Sequence, residues 1–245
     1  MQNREIALIT GASGTIGSSI ANLLAQEGYS LILHYHHNRE VVEKISEKYS
    51  GEGRRIVLIQ EDLSSFEGVK QLFITIEENQ LNPSVLINAL GIASYGLIQD
   101  VSLKNFEYLI NVNVMSYFFC AQLAIPFMIK NKFGRIINIS SIWGEQGAAN
   151  EVAYSMTKGA VNTFTKALAK ELAPSGVTVN AIAPGIVYSK MMSSFSQGEL
   201  EELKASIPLQ RFLDGSEIAH QVLHLLKDYS SYITGQIITM DGGWS

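Results

Sequence analysis

The sequence holds a single cysteine, Cys120, so no disulfide can form within the chain. It has no excess of positive charge. Its 18 Lys and Arg stand against 23 Asp and Glu, for a net charge of −5, which leaves no electrostatic footprint for nucleic acid or an anionic membrane. The longest apolar run, YFFCAQLAIPFMI, is short for a bilayer and contains Gln122 and Pro126. The opening MQNREIALIT has no apolar stretch of signal-peptide length. A reduced, cytoplasmic protein that binds neither membrane nor nucleic acid is the expectation. No metal is expected either. His36 and His37 have poor spacing for zinc and no cysteine nearby, and His220 and His224, one helical turn apart, lack a third ligand.

Low-complexity stretches and repeats are also missing, so the 245 residues read as one α/β domain over 1–245. Short apolar runs at 6–10, 31–35, 55–59, 85–88, 135–140, 177–183 and 236–240 read as strands. Helical stretches fit between most of them, at 15–27, 39–49, 66–79, 103–130, 152–173 and 215–227. Strands apolar on both faces and separated by helices predict a doubly wound parallel sheet of about seven strands with helices on both faces, a Rossmann fold. Such sheets bind ligands beyond the carboxyl ends of their strands.

Beyond the first strand lies TGASGTIG, with glycines at 11, 14 and 17. Glycine lets backbone approach a phosphate, and the helix N-terminus that follows offers free N–H groups. The loop residues Gly11, Ser13, Gly14, Thr15, Ile16 and Gly17 are therefore candidates to hold a dinucleotide pyrophosphate. The second strand ends in HYHHNRE. Tyr35 stands where a carboxylate would meet a ribose 2′-hydroxyl, while His36, His37 and Arg39 offer positive or donor groups to a 2′-phosphate, or form a solvated loop. NADPH is favoured on this ground, with NADH as the alternative. Asp62, followed by Leu63, is an acceptor for the adenine amino group or a helix cap.

The stretch YSMTK sets Tyr154 and Lys158 one helical turn apart on one face. A tyrosine lowered from about 10 to near 7 needs about 4 kcal/mol of extra phenolate stabilisation. An ammonium about 4 Å away supplies roughly that at an effective dielectric near 20. The pair can therefore donate a proton to a carbonyl that is receiving hydride. Thirteen residues upstream, INISS leaves Ser141 at the carboxyl edge of the sheet, placed to donate to a substrate oxygen.

With the glycine loop, NALG at 88–91, VTVNAIAPG and YITGQIITMDGGW, this arrangement resembles the short-chain dehydrogenase/reductase family over nearly the whole chain. The resemblance is strongest to its 3-oxoacyl-[acyl-carrier-protein] reductases of bacterial fatty-acid synthesis. It implies reduction of a 3-oxoacyl thioester by NADPH. In it Tyr154 is the general acid, Lys158 holds the nicotinamide ribose, Ser141 polarises the carbonyl and Asn113 holds a relay water. It implies cofactor contacts from Asn88, Ala89 and Gly91, from the Pro184, Gly185 and Ile186 turn, and from Ser189. It also implies a homotetramer built through helices 103–130 and 152–173.

Several residues depart from the family pattern. Thr15 replaces the middle glycine of TGxxxGxG, and Leu90 adds bulk beside the cofactor. Of two basic residues that would grip an acyl carrier protein at the mouth, Lys132 is present and Ser175 replaces the other. A substrate lid is expected at about 188–212, with Met191, Met192, Phe195 and Phe212 suited to an acyl chain or only packing the lid. Other readings are a dehydrogenase of sugar alcohols, steroid-like ketones or small alcohols, and a non-catalytic nicotinamide-binding regulator.

Overall fold

The computed structural model describes residues 5–51, 54–188 and 196–244. Seven strands form one sheet: β1 (Ile6–Thr10), β2 (Ser30–Tyr35), β3 (Ile56–Gln60), β4 (Val85–Asn88), β5 (Gly134–Ile139), β6 (Val177–Pro184) and β7 (Ile237–Met240). All pairings are parallel, in the order β3-β2-β1-β4-β5-β6-β7. The chain reverses its direction of travel across the sheet between β1 and β4. That reversal opens a crevice at the carboxyl edge, where ligands bind in such sheets.

Two apolar layers explain why the strands lack alternation. On one face α1 (Thr15–Gln26), α2 (Arg39–Tyr49) and α9 (Gly215–Leu226) bury Ile20, Leu24, Ile45 and Val222 against Ile9, Leu33 and Ile87. On the other, α3 (Phe66–Glu78), α5 (Ser116–Asn131) and α7 (Val152–Leu172) bury Leu72, Ala124 and Leu168 against Leu8, Leu86 and Val179. Strand residues thus face apolar helices on both sides.

The helix expected at 103–130 is continuous but not uniform. It runs as α4 (Leu103–Ile110), a π turn (Asn111–Met115) and then α5. Together these 29 residues are long and apolar enough to cross a membrane by length and composition, beyond what the interrupted apolar run suggested. Burial of Tyr117, Cys120, Ala121, Ala124 and Met128 in the sheet face makes it a core helix. Two further helices appear, α6 (Trp143–Gln146) and α8 (Gln197–Ala205). The second lies inside the expected lid. Met191, Met192 and Phe195 lie outside the described residues, whereas Phe212 is buried beside Ile207.

Lys132 departs from the place read for it. It ends α5 in a left-handed conformation just before β5 begins. Ser141 follows the other end of that strand, roughly 20 Å away for six extended residues. Within one chain, Lys132 therefore stands at the opposite edge of the sheet from the mouth. The turn at Ser175 is its neighbour, since an added Cβ on Gly176 would come within 2.6 Å of the Lys132 carbonyl oxygen.

Candidate active site

The carboxyl edge of the sheet is tied together by one side-chain hydroxyl and by close backbone approaches. Thr10 ends β1, and its hydroxyl accepts from the N–H groups of Ala89 and Leu90 at 3.3 and 3.5 Å, tying β1 to the loop beyond β4. Gly11 turns with a positive φ of 67°. A side chain there would press on the backbone of Leu90 at 2.8 Å. Its carbonyl accepts from Gly14 N–H at 3.0 Å. Gly17 lies so close that a Cβ would fall 2.2 Å from the Gly11 oxygen. Thr15, which replaces the family's middle glycine, is the first residue of α1, and its carbonyl accepts from the Ser18 and Ser19 hydroxyls.

Two cavities open along this loop. One, of about 220 Å³, is lined by Gly11, Ser13, His34, His36, His37, Asp62 and Leu63, among others. The second, of about 440 Å³, is lined by Thr15, Ile16, Gly17, Ser141, Tyr154, Pro184 and Gly185, among others. Gly14, Ala89 and Gly91 line both.

In the first cavity the His36 and His37 rings stack at 3.8 Å. Asp62 accepts from Ser64 N–H at 2.9 Å. Burial pulls its pKa upward, but the Ser64 hydrogen bonds and the charges of His36 and His37 outweigh this and hold it below the usual carboxylate value. The cap of α3 is Ser65, not Asp62. Tyr35 is buried in the core, and Arg39 pairs with Glu43 at 2.6 Å on the surface.

In the second cavity the Tyr154 hydroxyl is hydrogen-bonded to Ser141, which also accepts from Trp143 N–H at 3.2 Å. Lys158 is buried on the next turn of α7. Its Nζ donates to the Ile139 carbonyl at 2.9 Å and lies 5.7 Å from the Tyr154 ring centre. The sequence reading expected this ammonium to draw the phenol toward 7. Here burial prevails: it pushes Tyr154 up to about 12, despite the Ser141 hydrogen bond, and pulls Lys158 down to about 8. The ammonium's hydrogen-bond partner is a carbonyl, not the phenol oxygen.

Asn113 sits within the π turn, a feature often found at functional sites. Its side chain is fully engaged, accepting from Ile92 N–H at 2.9 Å and donating to the Ile92 carbonyl at 2.8 Å and to Thr157 at 3.2 Å. Gly91 leaves room beside it, since an added Cβ would meet Lys158 Nζ at 3.5 Å and Asn113 Oδ1 at 3.6 Å. Asn88 is buried in the sheet and donates to Asn138 at 2.9 Å, lining neither cavity. Ile186 packs with Ile207 and Phe212 behind the turn. Ser189 lies outside the described residues.

Three residues near the site escaped the sequence reading. Tyr117 is buried, and its hydroxyl donates to the carbonyls of Leu90 and Ile139 at 2.8 and 3.0 Å. Gly144 lets α6 press on α7, since a Cβ would fall 2.7 Å from the Lys158 backbone. His34 holds the glycine loop. Only Gly144 carried a sequence signal, as a glycine just past Ser141.

The geometry has counterparts among known proteins. A family model described as enoyl-(acyl carrier protein) reductase matches residues 11–245. An oxidoreductase of Bacillus subtilis (strain 168), YmfI, is 45% identical over 241 residues, 98% of each chain. The 3-oxoacyl-[acyl-carrier-protein] reductase FabG of Staphylococcus aureus (strain N315) is 36% identical over 243 residues, 99% of each. A short-chain dehydrogenase/reductase from Serratia marcescens superposes with a TM-score of 0.91 at 28% identity, over 98% of each chain. The chain belongs to the short-chain dehydrogenase/reductase family. It is an oxidoreductase, and a nicotinamide dinucleotide is its implied cofactor. The residues present fit that group. The glycine loop offers the close backbone approach a pyrophosphate needs, and the two cavities meet there, one ending at Asp62 and the other at Tyr154.

Proposed function

We propose that this enzyme reduces a 3-oxoacyl thioester to the 3-hydroxyacyl thioester, with NADPH as its cofactor. The observation that carries the reading is the hydrogen-bonded Ser141–Tyr154 pair at the cavity that the glycine loop and the Pro184–Gly185 turn share. When bound, the reduced nicotinamide supplies the hydride. Ser141 donates a hydrogen bond to the ketone oxygen and fixes its position. Tyr154 gives its phenolic proton to that oxygen as it becomes an alcohol. Burial keeps the phenol protonated, which is the state a proton donor needs. Lys158, about 90% protonated at neutral pH for a pKa near 8, restrains the charge left on the phenolate.

His36 and His37 at the adenosine end support NADPH, because both can donate to a 2′-phosphate. Naming of the Staphylococcus aureus relative supports the 3-oxoacyl substrate. With Lys132 at the far edge of the sheet, a coenzyme A thioester is the form to test first, with acyl carrier protein second. We place the enzyme in the cytoplasm and assign it a homotetramer. The assembly rests on exposed apolar side chains on the long helices, such as Leu103 at 71% and Met156 at 50% exposure, beside a groove of about 360 Å³.

The test is loss of reduced-nicotinamide absorbance with acetoacetyl-coenzyme A. Crotonyl-coenzyme A serves as a thioester without the ketone. Rapid loss with NADPH and the ketone alone is expected. No loss with either dinucleotide, while both still bind, overturns the substrate and turns the search to other ketones and alcohols.

A further inference from the structure

The first two amides of the glycine loop are held by one residue of the neighbouring strand. Gly11 N–H donates to His34 Nδ1 at 3.1 Å, and Ala12 N–H donates to the His34 carbonyl at 2.8 Å. The other ring nitrogen, Nε2, meets the Glu61 carbonyl at 3.1 Å. A carbonyl only accepts, so Nε2 carries the proton and Nδ1 is the bare acceptor. His34 is fully buried. Gly11 in turn sets the rest of the loop, because its carbonyl holds Gly14 N–H and packs on Gly17. Gly14 lines both cavities.

We infer that His34 is a positioning residue for the dinucleotide, holding the phosphate-facing loop in its binding shape through the bond from Gly11 to Nδ1. The side chain acts through the loop's backbone. Without an acceptor at that point, the part-buried Gly11 amide loses its partner, and the loop relaxes away from the geometry that presents its remaining N–H groups.

Two substitutions separate this role from simple packing. Asn places its Oδ1 as many bonds from Cα as Nδ1, so His34→Asn keeps the acceptor for Gly11 and loses the Glu61 contact. Gln places its amide nitrogen at the Nε2 distance, so His34→Gln keeps the Glu61 contact and loses the acceptor. Each purified full-length variant is titrated with NADPH and with NADH, without substrate, by nicotinamide fluorescence. His34→Gln is expected to raise Kd for both about tenfold, equivalent to about 1.4 kcal/mol, while His34→Asn stays within about twofold of wild type. Because no substrate enters, the outcome is independent of the thioester reading. Equal Kd values in both variants overturn the inference, as does the reverse order. Should His34→Gln fail to fold, histidine ¹⁵N spectra of the unmodified protein decide. The neutral Nε2–H tautomer with a chemical-shift change on NADPH binding is expected, and an Nδ1–H tautomer overturns the assignment.

Discussion

Acid should weaken this fold through His34 in a way one substitution can isolate. Burial holds the imidazole down to about 4 from its ordinary 6.5, with the charge of His36 adding to the fall, and the Glu61 hydrogen bond and Asp62 opposing it. The unfolded chain therefore takes up a proton near pH 6.5, and the native state only near pH 4. Stability is whole above 6.5, falls as pH drops through that window, and has lost its full share below about 4. The whole step is about 3 kcal/mol, and about 2 kcal/mol of it is lost between pH 7.5 and 5.0. The residue is fully buried, so no solvent discount applies. Urea unfolding followed by circular dichroism, at one protein concentration and both pH values, reads the loss. Other groups, such as Glu5 with its raised pKa, titrate equally in wild type and in His34→Asn. Wild type should lose about 2 kcal/mol more than the variant on acidification. Equal losses would refute the buried neutral imidazole, whatever the absolute stabilities.

Four further outcomes follow from the same geometry. Tyr154→Phe should cut turnover by at least about a hundredfold and leave dinucleotide Kd within about twofold, by assay and fluorescence titration; retained turnover removes Tyr154 as proton donor. Gly17→Ala forces a Cβ to 2.2 Å from a backbone oxygen and should cost about 1–3 kcal/mol in urea unfolding with a weaker dinucleotide Kd. Gly14→Ala, whose nearest contact is 3.4 Å, should stay within about 0.5 kcal/mol of wild type. Tyr117→Phe strips the donor shared by the Leu90 and Ile139 carbonyls and should cost about 1–2 kcal/mol by the same measurement.

The strands were legible because burial on both faces leaves unbroken apolar runs, and each observed strand begins and ends within a residue of its run. The π turn was not, because NVNVM contains neither glycine nor proline and keeps the apolar character of the helix around it. Helix α8 buries none of its residues, so no apolar stripe announced it. Its capping box of Ser196 and Glu199 was the readable signal. The placing of Tyr154 and Lys158 on one helix could be read from their spacing of four. Hydrogen bonds across the fold could not, such as Gly11 to His34 over 23 residues or Tyr117 to Leu90 over 27. Lys132 shows the same limit from the other side: likeness along the chain says nothing of which sheet edge a residue occupies.

The electrostatics of Tyr154 and Lys158 invert the simplest argument for their spacing. A direct ammonium–phenolate pair would lower the tyrosine toward neutral pH, where a general acid is most effective. In this chain the ammonium is instead tethered to the Ile139 carbonyl, a carbonyl it shares with the Tyr117 hydroxyl. The phenol is thereby left to burial, which favours the protonated form. Lys158, although its pKa is pulled down to about 8, keeps its charge at neutral pH and is held to Ile139 by a single hydrogen bond at 2.9 Å. Tyr117 bears on this balance, because it also donates to the Ile139 oxygen and takes up part of that oxygen's capacity to hold the lysine. Tyr117 thus shares the Ile139 carbonyl with Lys158 from a different helix.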